Sequence, residues 1–371
     1  MRVDAHVADD GGCGWYRLIQ PIKAIKAAAP PDVDIRMIEA NSPEAALKCV
    51  MRDRPDGTAE CLDVIGLDCD VLVIQRPMQA ELLAAIPAVQ AKGIAVVVEI
   101  DDDFTSLSPR NSAWATLQQT PLRHERWLRR ICDLADMVTV TTPRLAQVYG
   151  RHGRVRSIPN HLPADPWDVA EPRYRPPTPK PVLGWSGSVA THPDDLQQTR
   201  GAVAAALVEA DAAMFVVGTG QGVRERLALA DDTPLYTTGD PTASPPTGWL
   251  PLDLYPHGMA SCDAGIVPLD LTPFNEAKSD LKGLEFAAVG VPFVASPTGP
   301  YTALAAAGAG LIAAKPKAWR SAVRSLLTNR TLREETAGRG REATAARRYH
   351  LTWHLWVEAW EQALRNRRGA A

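Results

Sequence analysis

The stretch that decides the fold runs Phe274-Asn-Glu-Ala-Lys278-Ser279-Asp-Leu-Lys282-Gly-Leu-Glu285-Phe-Ala-Ala-Val-Gly290-Val-Pro292-Phe-Val-Ala-Ser296. A helix is expected to start near Lys278, which turns its N-terminal dipole and two lysines one turn apart toward one region. Glu285 follows Lys282 by three residues and Lys278 by seven, on the same helical side. Cations beside a helix N-terminus suit a diphosphate, and a carboxylate on that side suits a ribose diol. Gly290-Val-Pro292 then ends the helix and opens a buried strand. A plain surface helix accounts for the lysines but not for the whole pattern.

Outward from this stretch, short β-branched runs alternate with helical patterns. Upstream of it, strands are expected at Val182–Trp185, Ala213–Val217, Leu235–Thr238 and Ala264–Val267, with helices at Asp194–Ala210 and Val223–Ala230. Pro292–Ala295 adds a strand after the helix Lys278–Ala288, and Trp319–Leu327 a further helix. The first half repeats the alternation. Its strands are Val3–Val7, Val71–Gln75, Ile94–Ile100, Met137–Thr141 and Val155–Ile158, and its helices start near Trp15, at Met78–Ala91 and at Pro143–His152. Strands separated by helices of this length mean βαβ units and parallel sheets. Between the halves lie Leu162-Pro-Ala-Asp-Pro and a second run from Glu171 to Pro181 in which five of the eleven residues are proline. Proline fixes φ and lacks a donor, so this run is a linker. The expected division is residues 1–162, a Pro-rich linker 163–180, a second α/β domain 181–348, and a closing helix with a basic tail over 349–371. In that helix, Thr352–Arg367, Leu355, Trp356, Ala359, Trp360 and Ala363 form a packing stripe. Two open α/β sheets leave a cleft, and ligands bind beyond the carboxyl ends of their strands.

Composition bounds the function. Of 371 residues, 46% are apolar and 22% charged, which excludes general disorder. The net charge of −3 excludes a polycation built to coat nucleic acid. From Lys315 onward, however, 13 Lys/Arg stand against 5 Asp/Glu. The six cysteines form no C-x-x-C pair, which argues for a reducing compartment and against zinc. No signal peptide and no apolar run of transmembrane length is present, so a cytoplasmic protein is expected, with peripheral membrane contact allowed. The Ala/Arg/Asp/Pro-rich composition points to a high-GC bacterium or its phage.

Two further motifs carry chemistry. Asp9-Asp-Gly11-Gly12-Cys-Gly follows the first strand and lets backbone approach a ligand, although its spacing is not G-x-G-x-x-G. Glu99-Ile-Asp101-Asp102-Asp103 ends a strongly apolar strand. Its carboxylates repel one another, and the cluster suits a divalent metal, sugar hydroxyls, a general base or an Asp-rich cap on the next turn.

The segment Phe274–Ser296 resembles the C-terminal signature of GT-B glycosyltransferases, particularly the family-4-like group (glycosyl transferases group 1). In that group a Lys-x-x-Glu helix precedes Gly-x-Pro. Four other segments match it in order: Ala135-Asp-Met-Val-Thr-Val-Thr-Thr, Ser157-Ile-Pro-Asn160, Leu183-Gly-Trp-Ser-Gly187-Ser188, and Tyr255 with Ala260-Ser-Cys-Asp263-Ala-Gly-Ile-Val-Pro-Leu269. The resemblance spans nearly the whole chain. It implies an α/β GT-B fold of two Rossmann-like domains facing across a cleft, with the closing helix crossing back to the first. It also implies a nucleoside-diphosphate sugar donor held mainly by the second domain, with no other cofactor and no metal.

By the same resemblance Glu285 would hold the ribose, and Lys278, Ser279 and Lys282 the diphosphate. Gly187 and Ser188 would lie under the phosphates, with His192 in the same loop. The Trp249–Leu252 loop, with Trp249 and Leu250, would contact the base, and Asp101 or its neighbours Asp102 and Asp103 the donor sugar. Gly11, Gly12 and Asn275 complete the expected donor site. Two departures stand out. The second Glu expected eight residues before Glu285 is Ala277, and the usual Arg and Lys of the first loop of the second domain are replaced by Ser188 and His192.

The implied activity is transfer of a hexosyl or related group to an acceptor hydroxyl, retaining and metal-independent. The acceptor is a glycan, glycolipid, protein or modified DNA base. A 2-epimerase-like enzyme and a non-catalytic sugar-nucleotide or glycan-binding module are the alternatives. The helix Leu122–Ile131 carries Arg123, Arg126, Arg129 and Arg130, a face that either meets a phosphate backbone or is simply solvated.

Overall fold

The computed structural model describes residues 1–55, 59–119, 124–239 and 248–370. In chain order the strands of the first half are β1 (Arg2–His6), β2 (Asp34–Ile38), β3 (Lys48–Asp53), β4 (Ala59–Ile65), β5 (Val71–Gln75), β6 (Ala95–Ile100), β7 (Met137–Val140) and β8 (Val155–Ser157). Those of the second are β9 (Val182–Ser186), β10 (Ala213–Val217), β11 (Leu235–Thr237), β12 (Ala264–Val267), β13 (Phe293–Ala295) and β14 (Gly310–Ile312). Two parallel six-stranded sheets result, ordered β2-β1-β5-β6-β7-β8 and β11-β10-β9-β12-β13-β14, while β3 and β4 form a separate antiparallel hairpin. Strands β5, β6, β9 and β10 are buried along their whole length, as strands covered by helices on both faces must be. In each sheet the order reverses beside the first strand of its half, between β1 and β5 and between β9 and β12. The loops leaving such a pair diverge and open a crevice at the carboxyl edge.

The closing helix, His354–Gly369, returns to the first sheet. Trp356, Ala359, Trp360 and Ala363 are buried there against Val3, Val71, Val97 and Met137. Both chain crossings between the halves run side by side, since Leu162 N donates to Arg347 O (3.1 Å) and Tyr349 N to Leu162 O (3.0 Å). The Pro-rich run is docked rather than free. Trp167 is buried, Tyr174 N donates to Ser261 Oγ (2.9 Å), and Arg175 pairs with Asp263 (2.7 Å).

Several elements differ from the expectation. The helix foreseen over Asp194–Ala210 breaks into a 3-10 turn, Leu196–Thr199, and a helix, Ala202–Glu209, because Arg200 and Gly201 both take left-handed φ (47° and 75°). Strands β2 and β14, the hairpin β3–β4 and the helices Gly299–Ala306 and Arg330–Thr344 were not foreseen. The hairpin is largely exposed and the helix Arg330–Thr344 is polar nearly all round, so neither carries an apolar period to read. The Arg-bearing helix runs His124–Leu134; Arg123 lies outside the described residues.

Candidate active site

Loops from both sheets close around a cavity of about 460 Å³. Gly12 and Cys13 follow β1, Arg76 follows β5, and Asp101 and Asp102 follow β6. From the other side come Thr191 and His192 after β9, Leu269 after β12, and Lys278, Ser279 and Lys282. The two topological switch points therefore open onto one space.

The helix expected from Lys278 begins only at Leu281, with Asp280 at its N-cap, so Lys278 and Ser279 precede it and only Lys282 rides on it. The cause is the grip of residues outside the segment. Thr142 Oγ1 donates to Ala277 O (2.8 Å), Asn160 Nδ2 to Ser279 Oγ (2.8 Å), and Arg347 clasps both oxygens of Asp280. The lysines still converge on the cavity, by this bent approach rather than by helical spacing. Lys282 Nζ sits over Gly187, where an added Cβ would come within 3.0 Å of it, and faces Trp185 at 5.9 Å. Burial first, then the neighbouring Lys278 charge, lowers the Lys282 pKa to about 8. Lys278 Nζ reaches across the cleft to Asp102 Oδ1 (3.0 Å), and although burial opposes its charge, that carboxylate raises its pKa.

The three aspartates after β6 diverge. Asp102 takes Lys278. Asp103 is buried and accepts from Thr105 N (3.0 Å) and Thr105 Oγ1 (2.6 Å), which makes it the cap of its own turn and removes it from the site. Asp101 lines the cavity, but its Oδ1 is buried without a hydrogen-bond partner. Among the described residues no group of three His, Cys, Asp or Glu side chains could hold a metal ion.

Glu285 is placed differently from the expectation of an open ribose contact. It is 3% exposed, and both oxygens are taken: Tyr16 OH donates to Oε1 (2.7 Å) and Tyr255 OH to Oε2 (3.3 Å). Burial raises its pKa to about 7, against the opposing pull of Tyr16, Lys282 and Tyr255. Its folded pKa lies above the ordinary 4.5. The stability it contributes is therefore complete below pH 4.5 and is lost as pH rises through 7. Glu285→Gln, neutral at every pH, is expected to match the wild type near pH 5 and to be about 1–3 kcal/mol more stable at pH 8. Urea unfolding at the two pH values checks this, and equal differences at both would refute it.

The other expected donor residues separate into three places. Gly12 lines the main cavity, and Gly11 and Gly12 face Trp249 and Leu250 across an adjoining space of about 750 Å³. Asn275 is not on the main cavity wall. It lines a neighbouring pocket and holds the protein together, donating Nδ2 to Asp195 Oδ1 (2.6 Å) and Asp270 O (2.9 Å). Ser188 is off the wall too, its Oγ accepting from Ala190 N (3.2 Å) and its carbonyl from His192 N (3.0 Å). The tight turn they form is what presents His192.

Sequence reasoning missed Tyr16, Tyr255, Arg17 and Asp195. Arg17 and Glu99 are each 1% exposed and pair at 2.7 Å, with Arg17 Nη1 also donating to Ile158 O (2.8 Å) and Asn160 Oδ1 (3.1 Å). A glutamate inside an otherwise apolar strand was the available signal for a buried partner. Nothing in the sequence joined it to Arg17, 82 residues earlier.

No protein-family model matches the chain, and no curated protein matches it in sequence. Solved structures do. Sucrose-phosphate synthase from Thermosynechococcus elongatus is similar over 97% of this chain and 98% of its own, at 15% identity and a TM-score of 0.60. HepE of Anabaena, solved with UDP and glucose, is similar over 96% and 97% at 13% identity, with a TM-score of 0.58. An α,α-trehalose-phosphate synthase (UDP-forming) from Burkholderia vietnamiensis covers 81% and 73% at 14% identity, with a TM-score of 0.52. At these identities the shared property is the fold, and that fold is GT-B.

Proposed function

From a GT-B fold whose two switch points share one cationic cavity, we propose that the chain is a glycosyltransferase. It moves a sugar from a nucleoside diphosphate to an acceptor hydroxyl. The observation that carries this reading is the convergence of Lys278, Lys282 and His192 from one half upon Asp101 and Asp102 from the other. When the bond from the sugar C1 to the phosphate oxygen breaks, the electron pair stays on the diphosphate. Fixed cations aimed there stabilise that charge. Because Gly187 has no Cβ, the Lys282 ammonium can lie against the backbone there, where an added Cβ would come within 3.0 Å of it. The base would rest between the Gly11–Gly12 loop and Trp249–Leu250. HepE, solved with UDP and glucose, and the UDP-forming trehalose-phosphate synthase support a uridine donor, and the acceptor would be a glycan hydroxyl.

We favour retention, which needs no carboxylate base. Inversion would need a base opposite the leaving group, and with Asp102 paired to Lys278 and Asp103 capping its own turn, Asp101 is the one of the three left to serve. In retention the acceptor hydroxyl attacks from the leaving-group face and passes its proton to the departing phosphate oxygen.

Incubating the protein with UDP-, GDP-, ADP- and dTDP-sugars and following free nucleoside diphosphate, with and without EDTA, tests this. Turnover with one donor that survives EDTA is expected, because lysines take the place of a metal. Activity lost to EDTA and restored by Mn²⁺ would make the aspartate cluster a metal site. Sugar-nucleotide conversion without an acceptor would indicate an epimerase, and binding without turnover a non-catalytic module.

A further inference from the structure

We propose that His192, held by Asp195, takes up a proton when a diphosphate enters the cavity and becomes the third cation of the site. This rests on the reading of the cavity as a nucleoside-diphosphate-sugar site.

The geometry fixes one face of the ring and leaves the other on the cavity. His192 Nδ1 lies 2.6 Å from Asp195 Oδ2. Asp195 is 3% exposed, and its second oxygen accepts from Asp270 N (2.9 Å) and Asn275 Nδ2 (2.6 Å), so the carboxylate cannot turn away. The hydrogen of a neutral ring therefore sits on Nδ1. Nε2, with its lone pair, faces Lys282 Nζ at 3.4 Å. In the empty cavity the imidazole accepts from the ammonium and is kept neutral. Burial first and Lys282 second push its pKa down to about 3, against the pull of Asp195.

A diphosphate changes both conditions at Nε2. Lys282 turns its N–H groups to the phosphate oxygens, and the anion itself comes to lie beside the ring. The imidazole then has a carboxylate on one side and a phosphate on the other, and both favour the protonated form. The remaining charged groups around the ring do not cancel this. Lys278 also opposes a charge on the ring but is paired with Asp102 (3.0 Å), and Asp194 is paired with Arg110 (2.9 Å); Asp270 adds a carboxylate behind Asp195. The proton comes from solvent on binding. As the C1–oxygen bond breaks, Nε2–H donates to the oxygen that receives the electron pair, and the proton returns to solvent when the diphosphate leaves. A titratable ring thus stands where the resembling group carries permanent cations.

Calorimetric titration with UDP-glucose at pH 6.5, in two buffers of different ionisation enthalpy, reads the proton count. UDP-glucose has no phosphate proton to lose in this range, and Lys282 is already charged. The wild type is expected to take up about 0.5–1 proton more per ligand than His192→Gln, whose amide reaches the Nε2 position without titrating. Wild-type affinity should also weaken roughly three- to tenfold per pH unit between pH 6 and 8, with a flatter slope in the variant. In ¹⁵N spectra of the wild-type complex both His192 ring nitrogens should carry hydrogen. Glu285 is common to both chains and drops out of the difference. Equal proton uptake by wild type and variant overturns this inference and leaves the proposed function standing. Failure of UDP-, GDP-, ADP- and dTDP-glucose all to bind overturns both.

Discussion

Glu99→Ala is expected to destabilise the protein by about 3–5 kcal/mol, a large share of the roughly 5–15 kcal/mol that holds a typical domain folded. The substitution leaves the Arg17 guanidinium, 1% exposed, without its counter-charge. Its remaining partners are the Ile158 carbonyl, Asn160 Oδ1 and the face of Trp356 at 5.6 Å, none of which is charged. The cost is that of a buried charge left uncompensated, which is larger than the net worth of the intact pair. Glu99→Gln keeps one acceptor oxygen for Arg17 Nε and turns its amide N–H toward the Thr139 hydroxyl oxygen, which can accept, so it should lose less. Urea unfolding followed by circular dichroism measures both. A loss below about 1 kcal/mol for Glu99→Ala would mean that Arg17 escapes to solvent when its partner is removed.

The second large effect is at Lys282. Lys282→Ala should lower turnover by at least about tenfold, since one charge-assisted contact to a developing anion is worth ~1.5–3 kcal/mol. The same change should not lower the unfolding midpoint. Lys282 is half-buried beside another cation, and among the described residues its side-chain nitrogen makes one polar contact, the 3.4 Å approach to His192. Folding therefore gains little from its charge. Because its pKa lies at about 8, wild-type kcat/KM should fall as pH rises through that value, a limb that Lys282→Ala lacks. Wild-type rates for Lys282→Ala at saturating donor would remove this segment from the phosphate site.

How much of this was legible in the sequence depends on the kind of signal. The buried parallel strands announced themselves through apolar runs such as Val71–Ile74 and Ala95–Val98, which suit a core on both faces of the sheet. The Trp356–Ala363 stripe told of a packing helix, and its target was foreseen only through the resemblance. What could not be read was set by partners far along the chain. The start of the helix at Leu281 depends on Thr142, Asn160 and Arg347. Glu285 lies on the helix as expected, but Tyr16, 269 residues away, donates to one of its oxygens and Tyr255 to the other, so it is not the open contact foreseen. Likewise Asp103 and Asp102, adjacent in sequence, part company because Thr105 lies close to one and Lys278 to the other. Lys278 and Lys282 line the cavity although the helical spacing expected to bring them together does not hold there. Long-range hydrogen bonds decided which atoms are left to meet a ligand.

The central claim is that the cavity between the two sheets holds a nucleoside diphosphate. Equilibrium dialysis of labelled UDP, GDP, ADP and dTDP against the wild type and Lys282→Ala tests it most directly. One saturable site per chain is predicted for one of the four, displaced by its sugar nucleotide and weakened at least about tenfold by Lys282→Ala. Absence of binding by all four, or equal binding by the two proteins, would contradict it.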